Sequence, residues 1–285
     1  MNNLESILKD KIVKTSSVGG GSIANSQKVV TKSGKEYFIK SYFGTNNKIL
    51  VNEVNGLKEI QKSKAIKTPD IIHFDESVLI LNYIESGKKN KNFYELFGNQ
   101  LAWLHKYTSD NFGFYEDNFI GSNPQINTPP SKNWSEFYWE KRLLFQFKLA
   151  EQNGFVDSNL RKLFHDFEPA YRNRIDGTEE NPSLIHGDLW GGNYLIDYEG
   201  NPVLIDPAVY FGHREAELGM TILFGGFDKD FYKSYNSAYP LIEDWEKRLD
   251  IYKLYHVMNH LNLFGSSYYG QTLSIIKSYL RIIIK

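Results

Sequence analysis

The sequence predicts an α+β protein with two lobes, a small β-rich N-terminal lobe and a larger, mainly helical C-terminal lobe. Three observations favour this class. Short strand-like runs separated by turn signals fill the first eighty or so residues, apolar residues at helical spacing dominate the rest, and 285 residues suffice for two lobes. We expect the lobes to span residues 1–84 and 85–285, with the active site in a cleft near residues 83–87.

Turn residues and apolar spacing define the elements of the N-terminal lobe. Ser33-Gly34 is typical of a hairpin turn between two strands. Val54, Leu57 and Ile60 recur at helical spacing, which indicates a helix. The predicted elements are strands over residues 28–31 and 36–40, a helix over 47–62, and strands over 71–74 and 78–84.

The C-terminal lobe is predicted to be helical with one interruption. Apolar periodicity indicates helices over residues 93–107, 134–153 and 159–175, and mainly helix beyond residue 215, strongest over 250–263. The interruption at residues 183–207 reads as strand, loop, hairpin and strand. Residues 111–133 are rich in Asn, Pro and Gly, so we expect a long loop there.

Composition excludes several classes of protein. Lys and Arg number 33 against 34 Asp and Glu, and this balance argues against a nucleic-acid partner. Cysteine is absent, which rules out disulfides, zinc–thiolate sites and cysteine nucleophiles. The N-terminus lacks the apolar core of a signal peptide, and no apolar run is long enough to cross a bilayer. We therefore expect a cytoplasmic protein with no membrane partner.

The clearest chemical signal is the segment His186-Gly187-Asp188-Leu189-Trp190-Gly191-Gly192-Asn193. It follows an apolar strand, and Asp206 ends the later hairpin arm. This is the H-x-D-x-x-x-x-N pattern of kinase catalytic loops, in which the Asp orients a hydroxyl and accepts its proton, and the Asn and a second Asp hold Mg²⁺. The alternative is a turn in which Asp188 and Asn193 only cap backbone amides. The strands predicted on both sides disfavour that alternative.

Three weaker signals precede this loop in the order found in kinases. Gly20, Gly21 and Ser22 lie in a glycine-rich segment whose amides could receive phosphate. Lys40 ends a predicted strand, and Glu53 lies on the predicted helix that follows. In kinases such a Glu orients the Lys on the nucleotide phosphates. Each residue alone would be an ordinary loop or surface residue, but their order favours a nucleotide site.

With these residues in place, the chain resembles the fructosamine kinase (ketosamine-3-kinase) family, which has the protein-kinase-like bilobal fold of aminoglycoside phosphotransferases. The resemblance runs nearly end to end. Its most specific segments are residues 186–193, Asp206-Pro207-Ala208 with Tyr210, and Gly212-His213-Arg214-Glu215. Other matching segments are Tyr37-Phe38-Ile39-Lys40, Phe112-Gly113-Phe114, Asn118, Gln125, Asn127, Trp134, Asn259-His260-Leu261-Asn262 and Phe264-Gly265.

The resemblance implies a role for each matching residue. Lys40 would hold the ATP phosphates with Glu53 as its orienting partner, beneath Gly20, Gly21 and Ser22. The backbone of Asn82, Tyr83 and Ile84 would receive adenine. Asp188 would be the catalytic base, and Asn193 and Asp206 the Mg²⁺ ligands. The cofactors implied are therefore ATP and Mg²⁺.

The resemblance also implies the substrate, a free or protein-bound ketosamine phosphorylated on its 3-hydroxyl. Because the 3-phosphate is labile, the product breaks down and frees the amine, which amounts to deglycation. The chain departs from the common family pattern at Gly191, where Ser is usual, and at Ser22, where many members carry Cys. Without cysteine, thiol regulation is not expected. The alternatives are a kinase of the same fold acting on an aminoglycoside, choline or sugar hydroxyl, and an inactive nucleotide-binding module.

Several residues near the catalytic motif have more than one interpretation. Trp190 could stack on the substrate or pack in the core. His186 is expected to be a buried residue that hydrogen-bonds the backbone. For His213, Arg214 and Glu215 an internal ion pair is favoured over substrate contact. Asn259 and His260 could face the acceptor pocket or simply pack, and the sequence leaves both open.

Overall fold

A five-stranded sheet and two helices form the N-terminal part of the chain in the computed structural model, which describes residues 2–19, 25–42 and 48–283. The elements are α1 (Asn2–Leu8), β1 (Ile12–Ser17), β2 (Asn25–Thr31), β3 (Glu36–Ser41), α2 (Ile49–Ser63), β4 (Ile71–Phe74) and β5 (Val78–Asn82). The strand order is β1-β2-β3-β5-β4, and each neighbouring pair is antiparallel.

Each face of this sheet is covered by a different helix, because side chains alternate along a strand. The face that packs on α1 carries Val29, Tyr37, Ile39, Val78 and Ile80. The face that packs on α2 carries Phe38, Leu79 and Leu81, which meet Leu50, Val54 and Leu57 of the helix. Lys40 follows Ile39 in β3 and is paired with Leu79 in register, so it lies on the α2 face. The alternation thus directs a lysine toward the helix that carries Glu53.

The rest of the chain is mainly helical, with three short antiparallel strand pairs, β6–β7, β9–β10 and β8–β11. Its elements are α3 (Phe93–His105), β6 (Asn118–Ile120), β7 (Asn123–Gln125), α4 (Trp134–Tyr138), a π-helical segment (Trp139–Leu144), α5 (Phe145–Gln152), α6 (Ser158–Ile175), β8 (Ser183–Ile185), β9 (Tyr194–Ile196), β10 (Pro202–Leu204), β11 (Tyr210–Gly212), α7 (Arg214–Leu223), α8 (Lys229–Ala238), a 3₁₀ turn (Trp245–Arg248), α9 (Leu249–Phe264), a second 3₁₀ turn (Ser266–Tyr268) and α10 (Tyr269–Ile283). None of the helices in the described ranges is long and apolar enough to cross a membrane.

The core of this part is built around α9 and is rich in aromatic residues. Tyr252, Tyr255 and Met258 on α9 are buried, and Trp134 donates its indole N–H to the hydroxyl of Tyr252 at 3.2 Å. Helices α3 and α8 approach closely at Gly98, where a Cβ would lie 2.2 Å from the carbonyl oxygen of Phe231. Most of the aromatic content is therefore explained by core packing.

The predicted α+β architecture is confirmed, and most predicted elements lie within a few residues of the observed ones. Four expectations need correction. The sequence patterns do not predict α1, β1 or β11; the long loop at 111–133 contains β6 and β7; the strand over 78–84 ends at Asn82; and the helix over 134–153 is interrupted by the π-helical segment. The predicted glycine-rich site at Gly20, Gly21 and Ser22 lies outside the described residues.

Strand β1 was missed because its side chains give no alternating signal. Five of its six residues are exposed, so apolar and polar positions do not alternate. It is an edge strand that pairs only with β2 in the described sheet. Strands β6 and β7 were missed for a different reason, since Asn118 and Gln125 are polar yet buried through hydrogen bonds. In a sequence, such a run of polar residues indicates a loop.

Candidate active site

A cleft of about 450 Å³ opens between the sheet and the helical part. From the sheet side it is lined by Lys40, Glu53 and the residues that end β5. From the helical side it is lined by Asp188, Asn193 and Asp206. Side chains that lie 166 positions apart, such as Lys40 and Asp206, therefore meet in one site.

Lys40 forms the centre of a buried charged cluster. Its Nζ donates to Oε1 of Glu53 at 2.7 Å and to Oδ1 of Asp206. Lys40 is 7% exposed, whereas the side chain of Asp206 is 38% exposed and faces the cleft. Glu53 lies one helical turn from Leu50 and Leu57 on the buried face of α2, which explains why it points inward. The expected pairing of Lys40 with Glu53 is present, and Asp206 joins it.

The charges of this cluster depend on one another. Burial alone would lower the pKa of Lys40, but the carboxylates of Glu53 and Asp206 outweigh burial and raise that pKa above its ordinary value. Burial raises the pKa of Glu53 to about 7, against the attraction of Lys40. Lys40 is thus a permanent cation at the floor of the cleft, suited to an anionic ligand.

Asp188 and Asn193 are held together within the loop between β8 and β9. The side-chain amide Nδ2 of Asn193 donates to the carbonyl oxygen of Asp188 at 2.7 Å and to its Oδ2 at 2.9 Å. These bonds use the nitrogen of Asn193 and leave its Oδ1 for a ligand. Burial raises the pKa of Asp188 well above its ordinary value, with Asn193 opposing and the charges of Glu217 and Asp206 adding to the effect.

His186 is a structural residue of this loop, as expected. Its ring is buried; Nε2 donates to the carbonyl oxygen of Ile205 at 2.8 Å, and Nδ1 accepts from the amide of Asp188 at 3.3 Å. The carbonyl oxygen of His186 accepts from the amide of Ala208 at 2.8 Å. The histidine therefore ties the backbone of Asp188 to the segments on either side of Asp206.

Glu217 of α7 anchors the same loop from below, a role that no sequence pattern predicts. Its fully buried carboxylate accepts the backbone N–H of His186 through Oε2 and that of Gly187 through Oε1 at 3.2 Å. Gly187 has φ +84°, and a Cβ there would lie 2.1 Å from the carbonyl oxygen of Ala208. The position of Asp188 is therefore fixed by two hydrogen-bonded amides and by a backbone conformation at residue 187 that only glycine fits.

We expect Glu217→Gln to destabilise the fold and lower turnover together. A glutamine presents one oxygen and one NH₂ to two N–H groups, so one buried amide loses its acceptor. Hydrogen bonds to charged groups contribute about 1.5–3 kcal/mol each, so the free energy of unfolding should fall by about that amount. Denaturant titration and steady-state rates measure the two effects, with Glu179→Gln, an exposed glutamate, as control. Unchanged stability would contradict the anchoring role.

A network of buried polar side chains on β6 and β7 supports the segment after Asp206. Gln125 donates to Asn118 Oδ1 at 2.8 Å and to the carbonyl oxygen of Ala208 at 2.9 Å. Asn118 in turn donates to the carbonyl oxygen of Val209 at 2.8 Å. The polar residues of the segment predicted as a loop therefore hydrogen-bond the backbone that follows Asp206.

The 213–215 segment forms internal ion pairs, as expected, and the structure identifies their partners. Arg214 makes a bidentate pair with Glu180, at 2.6 and 2.7 Å, and Glu215 makes one with Arg248, at 2.6 and 2.7 Å. His213 donates through Nε2 to the carbonyl oxygen of Thr178 at 2.8 Å. Arg214 and Glu215 are fully buried, so they anchor α7 and do not contact the cleft.

Residues 82–84 form the connector at the inner end of the cleft. The amides of Asn82 and Tyr83 donate to the carbonyl oxygens of Asp70 and Glu36, at 3.0 and 3.2 Å. Farther along, the amide of Gly87 donates to the carbonyl oxygen of Ile196 at 2.9 Å, so the connector is fastened to the β9–β10 hairpin. The side chains of the connector line the cleft beside Leu81.

Trp190 lies at the outer end of the cleft rather than in the core. It is 39% exposed, and its ring lies against Phe224 with the ring centroids 5.7 Å apart. His260 and Phe264 of α9 line the same end. Of the interpretations left open, the structure therefore favours a pocket position for Trp190 and His260. Phe224 was missed, because a lone Phe at a helix end carries no sequence signal for a site.

The residues present fit a magnesium ion shared with a phosphorylated ligand. Asn193 Oδ1 is left as an acceptor by its own Nδ2 bonds, and the carboxylate of Asp206 reaches the cleft. Mg²⁺ is commonly held by one or two carboxylates together with substrate phosphates and water, and not by an all-protein cage. Accordingly, the described residues contain no cluster of three or more His, Cys, Asp or Glu side chains that could hold a metal ion by itself.

Comparison with known proteins agrees with this geometry. The model of the fructosamine kinase family matches residues 3–282. The chain is 40% identical over 280 residues to the chloroplastic protein-ribulosamine 3-kinase of Arabidopsis thaliana, covering 96% of this chain and 84% of that protein. A crystal structure from Thermobifida fusca, assigned as a fructosamine-3-kinase, is 28% identical with a TM-score of 0.89 and covers 98% of both chains.

A more distant structure shares the fold alone. An aminoglycoside phosphotransferase bound to streptomycin and ATP is 13% identical with a TM-score of 0.66, covering 97% of this chain and 94% of that one. The protein-kinase-like fold expected from the sequence is thereby confirmed.

Proposed function

Since the chain belongs to the fructosamine kinase family, we propose that it transfers the terminal phosphoryl group of ATP to the 3-hydroxyl of a ketosamine. The observation that carries the proposal is the meeting of two sets of residues in one cleft. Lys40 and Glu53 supply a buried cation for phosphate, and Asp188, Asn193 and Asp206 supply a base and metal ligands opposite it. Phosphoryl transfer needs little more than such positioning and charge.

The nucleotide would lie along the inner part of the cleft. Because Asn82 and Tyr83 already donate their amides within the sheet lobe, the amide of Ile84 is the one we assign to the adenine edge. Lys40, oriented by Glu53, would neutralise the α- and β-phosphates. Gly20, Gly21 and Ser22 keep their proposed place over the phosphates on the family resemblance alone.

Asn193 and Asp206 would hold Mg²⁺, which neutralises charge on the transferred phosphoryl group. Their donor atoms are already oriented, because Asn193 is fixed by Asp188 and Asp206 by Lys40. Because these ligands are already in place, no free energy is spent on reorganising them during the reaction, and this preorganisation is the main source of electrostatic catalysis.

Asp188 would orient the acceptor and take its proton. Oδ2 accepts from Asn193, so Oδ1 is the atom we assign to the 3-hydroxyl. The raised pKa of Asp188 brings its basicity nearer to that needed for proton transfer at neutral pH. As the oxygen attacks phosphorus, its proton passes to Oδ1 and ADP leaves on the opposite side.

The pairing of Glu53 with Lys40 gives a testable consequence. We expect Glu53→Gln to lower kcat/KM for ATP about 10- to 100-fold, the effect of losing one charge-assisted hydrogen bond. In Glu53→Gln, Lys40 keeps its charge and its bond to Asp206. Lys40→Met removes both, so it should lower kcat/KM for ATP further. Initial rates at varied ATP measure this, with Glu168→Gln as control because Glu168 pairs with Arg172 on the surface of α6. Equal losses in Glu53→Gln and Glu168→Gln would contradict the assignment.

The substrate assignment is tested by coupled ADP release with MgATP. Fructosamines and ribulosamines form one set of acceptors, and an aminoglycoside, choline and free fructose form the other. We expect turnover with the first set, with ³¹P NMR placing the phosphate on the 3-oxygen and free amine appearing as the product decays. Turnover confined to the second set would refute the ketosamine assignment, and no turnover with either would favour an inactive nucleotide-binding module.

A further inference from the structure

Beyond Asp188 the cleft is bordered by a continuous row of rings, here called the aromatic rim. Its members are Trp190 of the catalytic loop, Phe224 at the end of α7, His260 and Phe264 of α9, and Tyr268. Successive ring centroids are 5.7 Å apart for Trp190–Phe224, 5.0 Å for Phe224–His260, 5.3 Å for His260–Phe264 and 5.1 Å for His260–Tyr268. Trp190, His260 and Phe264 line the same cleft as Asp188, so the rim continues the acceptor site outward.

The rim keeps large apolar surface exposed to solvent. Phe264 is 55% exposed, Phe224 43% and Trp190 39%. Three large aromatic side chains of this kind gathered at the mouth of a catalytic cleft indicate a binding surface, because isolated exposed aromatics need no partner but a cluster usually has one. Trp190, Phe224 and Phe264 are not among the residues that form the buried core next to α9 or pack on it.

The rim also carries no negative charge of its own. Among the described residues that line the cleft, the carboxylates are Glu53, Asp188 and Asp206, and each is bonded to Lys40 or Asn193. Burial lowers the pKa of His260, which favours the neutral ring; its Nδ1 donates to the carbonyl oxygen of His256 at 2.7 Å, which leaves Nε2 as an acceptor. The rim is therefore apolar, rich in π-electrons and uncharged.

We propose that the aromatic rim binds the protonated amine of the acceptor and the carbon substituent on it, with Phe224 and Phe264 as residues that set this preference. This rests on the proposed function, because a ketosamine with its hydroxyl at Asp188 directs its amine outward. A secondary alkylamine is a cation near neutral pH, and aromatic faces attract cations without a carboxylate. The carbon substituent then covers the exposed ring surface.

Two matched ligands separate attraction to the charge from simple apolar contact. N-benzyl-1-amino-1-deoxyfructose carries the cationic amine, and 1-O-benzylfructose replaces that nitrogen by a neutral ether oxygen. Dissociation constants are measured by calorimetry for the wild type, Phe224→Leu and Phe264→Leu, and rates are measured in parallel with MgATP. Trp103→Leu is the control, because Trp103 is 60% exposed on α3 and does not line the cleft.

We expect each Phe→Leu change to weaken binding of the amine-linked ligand about 3- to 30-fold, the range of cation–π interactions. Binding of the ether-linked ligand should change far less, because leucine keeps most of the apolar contact. KM for ATP should stay at the wild-type value, and Trp103→Leu should behave as wild type. Thermal unfolding checks that the variants remain folded.

Other outcomes overturn one proposal and leave the second standing. Equal losses for both ligands, or no loss in either variant, would refute recognition of the amine even if the wild type phosphorylates the ketosamine. Failure of the wild type to bind the amine-linked ligand would refute it too. Conversely, if the amine-linked ligand binds in a Phe264-dependent way but is not phosphorylated, the rim stands and the 3-kinase assignment fails.

Discussion

Asp188→Asn should lower kcat by about 10²–10⁴-fold, the usual contribution of a general base, while ATP binds almost as in the wild type. The amide oxygen of the new side chain can still accept from Asn193 Nδ2, as Oδ2 of Asp188 does. Its NH₂ group then faces the acceptor and cannot take a proton. The loop keeps its shape, but the atom that receives the proton is gone. Single-turnover rates with a ketosamine and calorimetry with MgATP measure the two parts.

Stability separates this chemical effect from damage to the fold. Because burial disfavours the charged form of Asp188, a neutral amide of equal size should not lower the melting temperature. Asp110→Asn, on an exposed loop, is the matched control and should leave both rate and stability unchanged. Near-normal turnover in Asp188→Asn would mean that another group is the base.

The sequence was sufficient to predict the fold where local signals agree with tertiary packing. Leu50, Val54 and Leu57 lie at helical spacing and do pack on the sheet as α2. The pairing of Lys40 with Glu53 is predicted from their order ahead of the catalytic loop, and the structure adds that strand alternation and helical spacing direct both side chains inward. Periodicity therefore predicts the helices and strands, whereas the order of the chemical motifs predicts the pairing in the site.

Other residues of the site could not be predicted because their roles depend on distant partners. Glu217 is a carboxylate within an apolar helical run, and only the structure shows that it accepts the amides of His186 and Gly187. Phe224 belongs to the rim only because α7 ends beside α9. For Arg214 an internal ion pair is predicted without a partner, and only the structure identifies that partner as Glu180, which lies 34 positions away. Residues paired across such separations do not recur at a regular spacing, so the sequence alone does not reveal the pairing.

Asp206→Asn should lower kcat/KM for MgATP more than about 100-fold and raise the Mg²⁺ concentration that half-saturates the rate. Residues that only support a metal ligand contribute about 10–100-fold to metal affinity or activity, so a direct ligand should exceed that range. Asn suits the position because Asp206 has φ +55°, a left-handed conformation that Asn tolerates better than most residues. The change therefore removes a charge from the metal site without straining the backbone.

Asp197 provides the control, because it is a buried Asp in the turn between β9 and β10 that does not line the cleft. Its carboxylate accepts the amide of Asn201 at 2.8 Å and pairs with Lys67 at 2.9 Å. Asp197→Asn should thus lower thermal stability but leave the Mg²⁺ dependence of the rate unchanged. Asp206→Asn should instead shift the Mg²⁺ dependence and leave thermal stability unchanged, because Lys40 keeps Glu53 as a partner. If both variants shift the Mg²⁺ dependence equally, the shift comes from the hairpin and Asp206 is not the ligand.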